Sequence, residues 1–300
     1  MKIGVLCSPN NWVFQELVRA AANEHLIVSI HFADLSVGMG SHGKSAFSSN
    51  RCTVDLDSLD AMLIRPMPAG SLEQVVFRMN LIHQLAAQYQ ITVINPPKTI
   101  EAAVDKYLCL EQIRGERIRV PATCVSETVE TALLQFEELG EDTVVKPLFG
   151  SGGKGIERVQ SKQAAERLFQ KKTENREIIY QQEYVEHGNT DLRLLAVGQA
   201  VFGMRRTSLG NWITNIQQGA IATHHIPTKL ETDIARLAAS RIGACVAGVD
   251  LIYDPNGQPF VVEVNACPGW RAISDVSDSD LSQTILGEIV AQTQASQRIP

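Results

Sequence analysis

The sequence predicts a chain of mixed α/β and α+β class, a small open α/β domain followed by two α+β lobes. Three observations carry that expectation. Short apolar runs alternate with helical patterns over residues 1–95, Asn95-Pro96-Pro97 interrupts the chain stiffly, and the pattern turns strand-rich beyond Glu186.

The first run, residues 2–7, ends at Ser8-Pro9-Asn10 and gives way to a helical pattern through Trp12, Leu17, Val18 and Ala21, a strand-turn-helix unit. Similar short strands are expected at 26–32, 61–64 and 92–94, and Ser71-Leu72-Glu73-Gln74 has the form of a capping box that opens a helix. Each proline after Asn95 fixes φ and withdraws a backbone donor, so the first boundary falls there. The expected domains are residues 1–95, 96–185 and 186–300. The second should hold a helical stretch carrying Asp105-Lys106, helices over 130–139 and 162–171, and strands over 143–149 and 178–184. The third should hold strands over 192–197, 200–205, 246–253 and 260–264, with helices over 231–242 and 281–294.

Three hundred residues, 44% hydrophobic and 20% charged, can bury the cores of two or three lobes. A net charge of −6 with no basic cluster argues against a nucleic-acid partner. The long apolar stretch 192–204 is broken by Arg193, Gly198, Gln199 and Gly203, short of the roughly twenty residues of a spanning helix, so no membrane partner is expected. The first strand opens at Met1-Lys2-Ile3 without a charged leader, which points to a cytoplasmic protein. Cys7, Cys52, Cys109, Cys124, Cys245 and Cys267 are scattered without a CxxC pair and read as reduced core or site thiols.

Residues 143–155 place Lys146 in a β-branched strand that runs into Gly150-Ser151-Gly152-Gly153-Lys154-Gly155. Glycines let backbone N–H groups approach oxygens and lysines supply point charges, which is phosphate-binding chemistry. The segment also spells GxGxxG, but Ile156-Glu157-Arg158-Val159 alternates like a strand and the next helix starts only near Lys162, whereas a dinucleotide fingerprint opens a helix. Gly155 stands where a Walker A loop needs Ser or Thr. A flap between two strands, folding over phosphates, is the remaining reading, and a nicotinamide-dependent oxidoreductase is the weaker rival.

Residues 249–270 read as two strands joined by Asp254-Pro255-Asn256-Gly257. Pairing symmetric about Asn256-Gly257 sets Asp250 opposite Glu263, with Asn265 two residues on along the same face. Facing carboxylates repel unless a cation lies between them, so this arrangement suits a magnesium site. A three-residue loop with a glycine bulge fits the same residues and would shift the register by one, splitting the carboxylates across faces. Upstream, Gln182-Glu183-Tyr184-Val185 ends a strand; a carboxylate there suits an adenine edge, and Asp191 suits ribose hydroxyls.

In this order the motifs resemble the RimK branch of the ATP-grasp superfamily, from Asn95 to about Leu286. The matching elements are Asp105-Lys106, Lys146 before the glycine loop, Gln182 to Val185, Asp191-Leu192-Arg193, Arg205-Arg206, Thr214-Asn215 before Gly219, Ala247 to Asp250, and Glu263-Val264-Asn265 with Pro268-Gly269. The resemblance implies ATP-dependent joining of an amino acid to a carboxylate. It implies metal binding by Asp250, Glu263 and Asn265, with two magnesium ions expected and manganese as an alternative. It implies phosphate binding by Lys106 and Lys146 and adenine binding by Glu183 to Val185. Ile213 departs from the arginine of the ribosomal-protein-modifying relatives, so Arg205 or Arg206 is expected to supply the basic group near the γ-phosphate, with Asn215 beside it.

Residues 65–80 resemble a subgroup of these ligases that accompanies tetrahydromethanopterin-linked metabolism, which implies a pterin acceptor ending in a carboxylate and glutamate as the amine. Arg65, Arg78 and Trp270 are the expected acceptor contacts, and a homo-oligomer is expected. The alternatives are a ligase acting on a protein or carrier-protein C-terminus, and an ATP-binding module without turnover.

Overall fold

The opening apolar run forms β1 (Lys2–Val5), and the Asn11 side chain then caps α1 (Trp12–Ala21) by accepting the Val13 N–H. The structure is a computed structural model that describes residues 1–150 and 152–298. Strand β2 (Leu26–Ser29), a hairpin of β3 (Leu35–Gly38) and β4 (Ala46–Ser49), β5 (Ala61–Leu63), α2 (Leu72–Tyr89) and β6 (Thr92–Ile94) follow. Four of these strands form a parallel sheet in the order β2-β1-β5-β6. The capping box at Ser71 and Gln74 is formed in both directions. The β3-β4 hairpin was not anticipated, because it is short and mostly exposed, with only Leu35 and Val37 alternating on β3.

The helical stretch expected around Asp105-Lys106 is two helices, α3 (Pro97–Val104) and α4 (Lys106–Ile113). Asp105 leaves helical geometry and accepts the Leu108 N–H at 3.0 Å, which makes Lys106 the first residue of the second helix. Next come β7 (Thr123–Ser126), α5 (Val129–Glu138), β8 (Thr143–Lys146), β9 (Glu157–Val159), α6 (Lys162–Glu174) and β10 (Ile179–Glu183). They form an antiparallel sheet in the order β7-β10-β8-β9. Phe136 of α5 and Phe169 of α6 bury Val145, Val159 and Ile179 on one face. Strand alternation turns Val144, Lys146 and Gln182 to the other.

The last part contains β11 (Thr190–Val197), β12 (Ala200–Thr207), β13 (Ile221–His225), α7 (Lys229–Arg241), β14 (Val246–Tyr253), β15 (Pro259–Asn265), α8 (Arg271–Ser274) and α9 (Leu281–Ser296). Its strands make an antiparallel sheet ordered β13-β12-β11-β14-β15. Leu192, Leu194, Val249 and Leu251 pack on one side against α7 and α4. Leu195 and Val197 instead join Ile285 and Ile289 of α9 and Ile3, Val5 and Leu17 of the first lobe in one core. No helix among the described residues is long and apolar enough to cross a membrane.

The Asn95 tripeptide that marks the first boundary also welds the lobes together. Asn95 is 1% exposed; its Nδ2 donates to Val246 O and Ala266 O, both at 2.6 Å, and its Oδ1 accepts the Cys245 and Val246 N–H groups at 2.9 and 3.2 Å. Val246 opens β14 and Ala266 follows β15. Replacing Asn95 by alanine strands these groups without partners, and a buried group left unpaired costs about 1–3 kcal/mol. We expect Asn95→Ala to lower stability by about 3 kcal/mol or more, seen as a lower urea midpoint at unchanged slope.

Candidate active site in the cleft between two sheets

The open face of the β7-β10-β8-β9 sheet looks across a cleft at the third sheet. Val144, Lys146 and Gln182 line one wall; Asp191, Arg206, Asp250 and Ile252 line the other. Along the outer half of β14 Asp250 and Ile252 face the cleft while Val249 and Leu251 face α7, so the alternation of one strand separates core from site.

The β14-β15 hairpin reaches its register by a route that combines the two sequence readings. Near the turn, Tyr253, Ile252 and Leu251 pair with Pro259, Phe260 and Val261, which centres the loop on Asn256 and corrects the symmetric turn. Asp254 causes this: its Oδ1 accepts the Asn256 and Gln258 N–H groups at 2.9 and 2.7 Å, and Gly257 closes the loop at a φ of 74°. Val262 then bulges out as an unpaired residue, and Asp250 pairs with Glu263, Val249 with Val264, and Gly248 with Asn265. Val262 and Glu263 both line the cleft.

Asp250 is held from two sides. Arg193 Nη1 reaches its Oδ1 at 2.6 Å, and Arg206 Nη2 reaches its Oδ2 at 3.0 Å. Burial favours the neutral acid, but the two guanidinium charges outweigh it and keep the Asp250 carboxyl below its usual range. Glu263 accepts no hydrogen bond among the described residues; burial and the Asp250 charge push its carboxyl above the usual range, against Arg193, Lys106 and Lys146. One carboxylate is therefore paired with arginines, and its neighbour has no such partner among the described residues. Among the described residues no three His, Cys, Asp or Glu gather into a metal cluster. Two carboxylates are the number a magnesium ion takes from protein when phosphates and water supply its other ligands.

Lys146 Nζ donates to Gln182 Oε1 at 2.5 Å, and Lys106 Nζ donates to Gly150 O at 2.8 Å and Leu148 O at 3.3 Å. Both lysines line the cleft at the root of the glycine loop, which joins β8 and β9 as a hairpin connection and opens no helix. Lys154 is exposed, and Ser151 lies outside the described residues. Glu183, Tyr184 and Val185 line the cleft beyond Lys146. One Glu183 oxygen accepts the Ala122 N–H at 2.9 Å, and Arg158 lies 3.3 Å over the Tyr184 ring.

Four sequence readings need correction. Asp191 is not free for ribose hydroxyls: cross-strand pairing sets it opposite Arg206, whose Nε and Nη2 take its two oxygens at 2.7 and 2.5 Å, and Thr214 Oγ1 donates at 2.6 Å. Arg205 lies opposite Leu192, which puts it on the α7 side of the sheet, exposed and away from the cleft; Arg206 is the cleft arginine. Arg193 serves Asp250 instead of lining the nucleotide cleft, and glycine at 248 makes room for it, since a Cβ there would stand 2.7 Å from its guanidinium. Asn265, expected as a metal ligand, turns its Oδ1 back to the Cys267 N–H at 2.8 Å, at the end of β15.

Asn215 lines the cleft beside Thr214, while Arg65 and Trp270 are buried together and Arg78 donates to Pro68 O. Sequence reasoning missed Ile252, Val262, His187 and Trp212 as cleft residues. Ile252 was within reach, because a residue two beyond Asp250 on a strand shares its face. Trp212 carries no comparable signal beyond being an aromatic residue in a polar loop.

The chain matches the RimK-like ATP-grasp domain over residues 103–289. It is 30% identical over 294 residues to a tetrahydromethanopterin:alpha-L-glutamate ligase of Methanococcus maripaludis, spanning 96% of this chain and 97% of that one. It is 28% identical over 319 residues to the enzyme of the same name from Methanosarcina acetivorans, spanning 95% and 97%. The solved structure of the ATP-grasp ligase PsnB, complexed with a phosphomimetic variant of its minimal precursor, Mg and ADP, shares the fold at a TM-score of 0.72 and 18% identity over 97% of this chain and 98% of that one. The cleft between two sheets, its lysines and glycine loop, and the match over most of the chain thus agree: this chain belongs to the RimK-like ATP-grasp family of ATP-dependent, ADP-forming ligases.

Proposed function

We propose that this chain joins glutamate to a carboxylate of a tetrahydromethanopterin-type acceptor, at the expense of ATP and with magnesium. The observation that carries the reading is the pair of facing carboxylates, Asp250 and Glu263, with Lys106 and Lys146 beside an unpartnered Glu263. The acceptor class rests on the names of the two methanogen enzymes, aligned end to end with this chain, and on Ile213 and Trp212 in the cleft wall, which suit an aromatic acceptor better than an acidic peptide tail.

In this reading the adenine lies beside Gln182 to Val185, between Val144 and Ile156 on one wall and Ile252 and Val262 on the other, as a flat apolar ring requires. The phosphates lie against Lys106, Lys146 and the N–H groups of the Gly150 to Gly155 flap. Asp250 and Glu263 would hold magnesium, which would neutralise phosphate charge as it shifts. A carboxylate oxygen of the acceptor attacks the γ-phosphorus, the bond to ADP breaks, and an acyl phosphate forms. The glutamate nitrogen then attacks the acyl carbon, phosphate leaves, and the nitrogen loses its proton. Arg206 lies where the transferring phosphoryl group needs a fixed positive charge, and Asp191 with Thr214 keeps its fork in place. The flap with Asn215 shields the acyl phosphate from water.

Three outcomes test this. Glu263→Gln should fold normally, abolish ADP release and remove the magnesium dependence of nucleotide binding, because an amide replaces the anionic ligand at nearly equal shape. Wild-type turnover in that variant would remove the metal assignment.

Nucleotide affinity should depend on pH through Lys146. Burial, with Lys106 nearby, pulls its ammonium down to about 8, against the opposing charge of Glu263. An unfolded lysine keeps its proton to about 10.4, so between those values the unfolded chain binds more protons and the contribution of Lys146 to stability rises with pH. Phosphate binding needs the ammonium and runs the other way: ATP affinity should fall above pH about 8, by up to about tenfold per pH unit. Calorimetry on both sides of that value checks it, with Lys146→Arg expected to flatten the profile.

The acceptor is tested by competition. Purified protein with ATP, magnesium and glutamate is offered a carboxylate-bearing pterin and an acidic peptide, and new amide bonds are scored by mass spectrometry. The pterin should be glutamylated and the peptide left intact; the reverse result transfers the ligase to a peptide substrate.

A further inference from the structure

Arg65 follows β5 at the carboxyl end of the first lobe's parallel sheet, and Cys7 stands at the same end beyond β1. Ligands of open parallel sheets bind outside those strand ends. Arg65 is 7% exposed, and its guanidinium makes one hydrogen bond, from Nη1 to Pro268 O at 2.9 Å. The same group lies 4.9 Å from the ring centre of the buried Trp270. Trp270 meets Trp12 edge-on at 6.2 Å, and Arg271 lies 5.8 Å over Trp12.

No carboxylate pairs with Arg65 among the described residues. The charged groups acting on it are Cys7 and Cys267, and burial pushes both thiols up to about 11, so at neutral pH neither carries a countercharge. The other buried guanidinium groups contrast with it, since Arg193 and Arg206 are both locked to aspartates. A guanidinium stays charged, and burying it unpaired is unfavourable unless an anion arrives to pair with it. Its unused N–H groups remain open: the sealed side-chain atoms without a partner among the described residues include Arg236 Nε but none of Arg65.

We propose that Arg65, seated on Trp270, is the receptor for an anionic group of the acceptor that does not itself react, a carboxylate or phosphate set apart from the carboxyl being ligated. The proposal rests on the ligase reading for the word acceptor, while the anion site stands on the geometry alone. Arg205 faces α7 and Arg206 is committed to two aspartates, which leaves Arg65 as a fork that an incoming oxyanion can engage bidentately. Trp270, 1% exposed beneath the guanidinium, holds the fork in place, so the site reads the oxyanion alone.

Thermal unfolding of the full chain in dilute chloride buffer tests the site. Arg65→Met should unfold at a higher temperature than the wild type, because an uncompensated buried charge has been replaced by an apolar chain of similar length. With ADP and magnesium present to fill the nucleotide site, succinate or inorganic phosphate should raise the unfolding temperature of the wild type but not of Arg65→Met, and the more effective anion names the group bound. Arg65→Lys keeps the charge without the fork and should show a reduced shift; an undiminished one overturns the proposal even if Arg65→Met fails to fold. In turnover, Arg65→Met should raise KM for the acceptor at least about tenfold with KM for ATP unchanged, a split that general destabilisation does not produce. Equal anion stabilisation of wild type and Arg65→Met removes the site whether or not the protein ligates. Anion stabilisation confined to the wild type, in a protein inactive on every pterin, keeps the site and removes the pterin reading instead.

Discussion

Arg206 lies between two carboxylates, Asp191 directly across the β11-β12 ladder and Asp250 one strand further, and Arg193 closes the row. Three adjacent strands thus bring alternating charges to one buried face. Each charge is tolerable only because its neighbour is present; removing one member of such a buried set typically costs about 3–5 kcal/mol. The row also fixes the register of the sheet, because a one-residue slip would turn these charges into the α7 core and bring Leu192 and Leu251 into the cleft. The row is asymmetric. Asp250 is paired with two arginines and stays ionised, whereas for Glu263, one strand beyond the row, burial and the Asp250 charge outweigh the pull of Arg193, Lys106 and Lys146. That imbalance is what the proposed magnesium site rests on.

The row would have no defined relation to an acceptor without the weld at Asn95. Its side chain ties the end of β6 to both strands that carry the facing carboxylates, and α9 buries the first sheet and the third in a common core. The wall bearing Arg65 and Trp270 and the hairpin bearing Asp250 and Glu263 therefore belong to one packed unit. The second lobe differs, since Phe136, Phe169, Val145 and Ile179 close a core drawn from that lobe alone. In the proposed reading the nucleotide thus bridges a sheet with its own core and a composite unit, while the wall bearing Arg65 and the hairpin bearing Asp250 and Glu263 stay fixed to each other.

Most of this was legible where the signal is local. The capping box at Ser71, the strand after the glycine loop, and the alternation that puts Asp250 and Glu263 together are properties of a few neighbouring residues. The hairpin was legible only as a choice, because Asp254 and Gly257 favour the shifted loop and nothing in Phe260-Val261-Val262 announces the bulge that restores the pairing. Asp191 and the two arginines were misassigned for a similar reason. Parity along β12 decides between Arg205 and Arg206, and the partner across the ladder decides whether an aspartate is free. The weld made by Asn95 was out of reach, and Arg65 was legible as an acceptor contact but not its setting, since the groups they bind lie about 150 to 203 residues away along the chain.

Ile213 shows how position changes the meaning of a substitution. In the sequence it stands where ribosomal-protein-modifying relatives carry arginine, which suggests a change on the acceptor side. In the structure it meets the flap: a Cβ at Gly153 would lie 2.5 Å from Asn215 Oδ1 and 3.2 Å from Ile213 Cγ2, and Gly153 holds a φ of 73° that side chains rarely adopt. Gly152 is equally close to Gln217. The flap backbone therefore lies directly on the loop that follows β12, and only glycine allows that approach. An arginine at 213 would place a charge in this contact, where isoleucine offers a methyl surface for the flap to rest on. The residue thus bears first on how the flap seats on this loop, through the short contact between one glycine and one loop.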